Sequence, residues 1–112
     1  MKEFKGTKGK WVHDLRSGCC AVYSELRINE TNGLHSDDDR NIYYSNKGSF
    51  YNGNNWEMNL EHQANALLIS KAPEMLEMLQ YLNRRGGLGL DIHNKIEQLI
   101  KQATELWNQT KN

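Results

Sequence analysis

The chain has 112 residues, and its 14 basic and 14 acidic side chains cancel. That length supports one modest core and leaves little room for a deep pocket within a single chain. The balanced charge gives no support for broad attraction to nucleic acid or to an anionic membrane.

No apolar run approaches the roughly 20 residues that span a bilayer. The opening segment, MKEFKGTKGKW, is basic and lacks the apolar stretch of a signal peptide. The expected location is therefore the cytoplasm of the cell that makes the protein. Three Trp and five Tyr, with clear helical periodicity further on, argue for a folded chain.

The pattern changes near Asn59, from strands and turns to helices. The expected class is α+β: an N-terminal antiparallel β-sheet followed by two or three C-terminal α-helices. The expected layout is a single domain over 1–112. It comprises a sheet over 1–58, a Pro-kinked helical segment over 59–85 and an amphipathic helix over 91–108.

Strands are expected at 10–15 and 19–28, joined by a turn at Arg16-Ser17-Gly18. In the second, Cys20, Val22, Ser24, Leu26 and Ile28 alternate with more polar neighbours and should face the helices. Cys19 and Cys20 are adjacent, so on a strand they point to opposite faces and do not form a disulfide. Residues 29–40, with Asn32-Gly33 and Asp37-Asp38-Asp39, are too polar for a core strand and read as an exposed loop or irregular hairpin. A third strand is expected at 41–45. Two short ones follow at Phe50-Tyr51 and at 56–58, around the turn-rich Asn52-Gly53-Asn54-Asn55.

Asn59 suits an N-cap, and Glu61 suits the first turn. Ala64, Leu67 and Leu68 form one stripe on the helix that follows. Pro73 then starts a second helix or kinks the first. Leu76, Leu79 and Leu82, with Met75 and Met78, are expected to face the core. Gly86-Gly87 ends this piece. Asp91 is expected to cap the last helix, whose stripe runs Ile92, Ile96, Leu99, Ile100, Ala103, Leu106, Trp107. That stripe is wide for so small a sheet and points to a homodimer or higher oligomer.

Catalytic motifs are missing from the sequence. The four His, at 13, 35, 62 and 93, show no metal-ligand spacing with one another or with Cys, and His13 near Cys19 or Cys20 makes too few ligands for a zinc site. The three Asp at 37–39 are consecutive, without the alternation and Gly of a calcium loop. Gly86-Gly87-Leu88-Gly89 lacks the Lys-Ser/Thr ending of a phosphate loop. The expectation is a protein that is not an enzyme and needs no cofactor. Two features point to binding. Arg84-Arg85 can grip an anion in bidentate fashion, although cations at a helix C-terminus also suit the dipole. The aromatic, Asn-rich stretch from Tyr43 to Trp56 offers stacking faces and amides that read base edges.

Ala64-Asn65-Ala66, Leu68-Ile69, Ala72-Pro73-Glu74-Met75-Leu76 and Leu79-Gln80 resemble a segment of small phage and prophage proteins, ANAxLIxxAPEMLExLQ in general form. The opening Lys5 to Trp11 is similar to the start of their sheet. In size and layout the chain resembles the Thoeris anti-defence family of the first type. The resemblance implies a protein of the host-cell cytoplasm that sequesters a cyclic nucleotide or ADP-ribose-derived immune signal between protomers without cleaving it. It implies ligand contacts from Phe50, Trp56, Asn65, Arg84 and Arg85. The competing expectation is a protein-binding inhibitor of a host defence effector, such as an anti-CRISPR protein. A small nucleotide hydrolase is a third.

Overall fold

A computed structural model describes residues 3–14, 20–30 and 40–105. Their order is β1 (Trp11–Asp14), β2 (Cys20–Ser24), a 3-10 turn (Ile28–Glu30), β3 (Asn41–Ser45), β4 (Ser49–Tyr51), β5 (Trp56–Met58), α1 (Leu60–Ser70), α2 (Ala72–Arg85) and α3 (Leu90–Thr104). This is an α+β fold with an N-terminal antiparallel sheet and three helices after it, as the sequence implies. The described residues fall into two compact units, one of residues 9–73 and one of residues 3–8 with 74–105.

In the first unit β2 is the centre of a three-stranded antiparallel sheet, ordered β1-β2-β3. His13 sits opposite Val22, and Val22 opposite Tyr43; a bulge follows, so that Tyr23 pairs with Asn41. Cys20 and Val22 are fully buried and pack with Ala66 of α1, flanked by Trp11, Ile42, Tyr43 and Ile69. A small residue at 66 lets the helix approach the sheet closely.

Strand β2 is shorter than expected. It ends at Ser24, where Arg27 N donates to the Ser24 carbonyl in a turn, and Leu26 stands exposed instead of facing the helices. Both faces of β2 are buried, including Ala21 and Tyr23 of the supposedly outer set. The sheet is thus covered on both faces at β2, which alternation along one strand does not reveal. The proposed turn at 16–18, Cys19 and the triple Asp lie outside the described residues.

Helix α1 is capped as expected: the Asn59 side-chain oxygen accepts from His62 N at 3.5 Å. Its rotation differs from the expected one. Gln63, Ala66 and Ser70 are buried, whereas Leu67 and Leu68 are exposed. Gln63 donates to the Gly48 carbonyl at 3.2 Å, and the Ser70 hydroxyl to the Leu67 carbonyl at 2.6 Å, so these polar side chains enter the interior with partners. Tertiary contact with β2 thus decides which side of a weakly amphipathic helix turns inward.

Helix α2 begins at Ala72 with Pro73 in its first turn, so the proline starts a new helix, which from residue 74 onward belongs to the second unit. Leu76, Leu79 and Leu82 are half-buried, while Met75 and Met78 are exposed, contrary to expectation. Gly86, at φ 74°, ends α2, and its N–H donates to the Leu82 carbonyl at 3.1 Å. The N-cap of α3 is Gly89, not Asp91; Asp91 lies in the first turn and pairs with Lys95 at 3.5 Å. Ile96, Ile100 and Thr104 are the buried positions of α3, and Ile92 and Leu99 are exposed.

Candidate functional site

Strands β4 and β5 form a separate two-stranded ribbon. Pairing sets Tyr51 opposite Trp56 and Ser49 opposite Met58 on one face, with Phe50 opposite Glu57 on the other. The rings of Tyr51 and Trp56 lie 5.7 Å apart at an interplanar angle of 55°, within the range of favourable aromatic pairs. Trp56 is 71% exposed and Tyr51 57%. A pair of this kind normally seeks burial, so its exposure marks the ribbon as a candidate binding surface.

The loop that joins the strands is held by Asn52. Its side-chain oxygen accepts from Asn54 N and Asn55 N, both at 2.8 Å, and its amide donates to Glu57 Oε1 at 2.9 Å. Asn52 N also donates to the Asn55 carbonyl, and Gly53, at φ 103°, supplies the left-handed turn. At the base, the Gly48 carbonyl accepts from Asn59 N and from Gln63 Nε2. The ribbon is therefore tied to the start of α1 and presents its rings on a closed hydrogen-bonded frame.

Of the expected binding residues, Phe50 and Trp56 share this ribbon but occupy opposite faces. One flat ligand stacked on the Tyr51–Trp56 face leaves Phe50 untouched. Asn65 is exposed on α1. Arg84 and Arg85 are exposed in the last turn of α2, in the other unit. The depression beside the glycine connector, about 250 Å³, is lined by Leu82, residues 86–90 and His93, without either arginine. Arg84 instead borders a groove of about 620 Å³ along α2 with Glu74, Glu77, Met78, Gln80 and Tyr81. Tyr51 and Asn52 were not singled out from sequence. Counting back across a four-residue loop pairs position 51 with 56, and that was the available signal.

Beneath this frame sits His13 on β1, on the face of the sheet that carries Val22. Its Nε2 is buried, with no hydrogen-bond partner for that atom among the described residues. Burial lowers its pKa from 6.5, against the opposing pulls of Asp14 and the Gln63 side chain. Cys20 is a buried free thiol. Among the described residues, no three His, Cys, Asp or Glu side chains gather as metal ligands. Among the same residues, no helix is long and apolar enough to cross a membrane.

Residues 1–111 match the family described as Salmonella phage P22 protein Y8K6. The chain belongs to that family. It is thus a small phage protein, as expected from sequence. No curated protein and no solved structure matches it.

Proposed function

We propose that this phage protein counters host defence by binding, without turnover, and that it sequesters a cyclic nucleotide or ADP-ribose-derived immune signal. The observation that carries the reading is the exposed Tyr51–Trp56 pair on its Asn52-locked frame. A base stacked on such a face gains about 1–3 kcal/mol. The neighbouring Asn54 and Asn55 amides supply donors and acceptors for a base edge. Asn65, Arg84 and Arg85 enter the reading as exposed polar groups, the two arginines as phosphate ligands. Sequestration needs affinity and enclosure and no catalytic group, which suits a chain with no recognisable catalytic motif.

The test is thermal shift and calorimetry with cyclic ADP-ribose isomers and cyclic di- and trinucleotides, followed by recovery of the ligand after heating the protein. Binding raises stability by mass action, by about 2.7 kcal/mol at a ligand concentration near 100 times Kd. The expected result is tight binding with intact release, lost in Tyr51→Ser/Trp56→Ser. Failure of every nucleotide class to bind removes the reading.

A second reading is a protein-binding inhibitor of a host defence effector. The same ribbon favours it, because Phe50, Tyr51, Trp56 and Met58 are all exposed, and aromatic and Met side chains are enriched where proteins dock. A stable complex with an effector that persists in the presence of nucleotides selects this reading over the first.

A further inference from the structure

The outer face of α2 carries an ordered pattern of which the proposed function uses only the two arginines. At 100° per residue, Glu74, Glu77, Met78, Tyr81, Arg84 and Arg85 fall on one stripe with the spacing of a two-helix seam. All six are exposed, and Leu76, Leu79 and Asn83 occupy the opposite, half-buried side. Within the stripe both acids lie at the N-terminal end, both arginines at the C-terminal end, and Met78 and Tyr81 between them. The helix dipole accounts for the charge gradient. It does not account for a Met 57% exposed and a Tyr 50% exposed at the centre of the same stripe.

We propose that this stripe is the contact with a second copy of the chain, formed by two α2 helices packed antiparallel about a twofold axis between Met78 and Tyr81. A twofold contact must be self-complementary, and the pattern is. Reversing the helix direction brings Glu74 of each copy beside Arg85 of the other and Met78 beside Tyr81. The acidic end of one helix then meets the basic end of its partner, and the two dipoles oppose. Parallel packing sets acid on acid and arginine on arginine. The pairing is independent of whether the ribbon binds a nucleotide or a protein.

The test is sedimentation equilibrium of the full chain and of two charge variants across a dilution series. Glu74→Lys/Glu77→Lys makes the stripe all-basic, and Arg84→Glu/Arg85→Glu makes it all-acidic. Wild type is expected to dimerise as concentration rises. Each variant alone is expected to dimerise at least about tenfold more weakly, because like charges are juxtaposed. An equal mixture of the two is expected to form a heterodimer. Met78→Ser/Tyr81→Ser keeps the charges and the inner face, and is expected to weaken the dimer by a similar factor; it carries the test if a charge variant fails to fold. A wild type that stays monomeric overturns the proposal. So does a dimer that survives the Ser changes, or a pair of folded charge variants that do not associate when mixed.

Discussion

His13 makes the stability of the sheet unit depend on pH. Burial lowers its folded-state pKa below 6.5, so on acidification the unfolded chain takes up the proton first. The unfolded state then binds more protons, and stability falls as pH drops from above 6.5 through the folded value. Urea unfolding over a pH series is expected to show this slope in wild type and a shallower one in His13→Gln. Equal slopes contradict the assignment. On the ribbon, Asn52 plays a comparable part in ordering. Asn52→Ala removes the acceptor for two loop amides and the donor to Glu57. Each such bond is worth about 1 kcal/mol net. Faster hydrogen exchange at the Asn54 and Asn55 amides is the expected readout, with little change at β2.

Element ends were the most legible feature of the chain, because they rest on local chemistry. Asn59 caps α1 and Gly86 closes α2, as the Asn amide and the glycine backbone allow, and Pro73 takes the first of its two expected roles and opens α2. Gly86 holds φ 74° with no neighbour near the position a Cβ takes. Gly86→Ala is therefore expected to cost about 1–2 kcal/mol from backbone strain alone, without a steric clash. A lower urea midpoint with an unchanged slope checks this. Helix rotation was less legible. In α1, Leu67 and Leu68 carry more apolar surface than Ala66, yet Ala66 faces β2, because a small residue there brings the helix onto Cys20 and Val22. In α2, Met75 and Met78 read as core from composition and stand exposed in the fold. Asp91 reads as a cap, but the chain enters α3 two residues earlier, at Gly89, where φ is 84°.

At the scale of the molecule, stability and the proposed recognition fall on different residues. Val22 is fully buried at the centre of the sheet, and Val22→Ala is expected to cost about 2 kcal/mol through lost transfer energy and the cavity left behind. Chemical denaturation measures that loss. Tyr51→Ser/Trp56→Ser removes exposed rings and is expected to leave the melting temperature nearly unchanged while abolishing ligand binding. If the double change unfolds the chain, the rings are structural and the ribbon is not the recognition surface.

The sequence by itself determined the class of fold, the two short strands around the Asn-rich turn, the cap of α1 at Asn59 and the end of α2 at Gly86. These depend on period, on capping groups and on glycine and proline backbone preferences, all of which act within a few residues. Only the tertiary structure decided that both faces of β2 are buried, that α1 turns Ala66 and Gln63 inward, and that Tyr51 stands beside Trp56 with Phe50 behind them. It also decided that Met78 and Tyr81 lie outward between opposite charges. The physical reason is the same in each case. Which side of an element loses water is set by the surface it packs against, and that surface comes from residues distant in the chain.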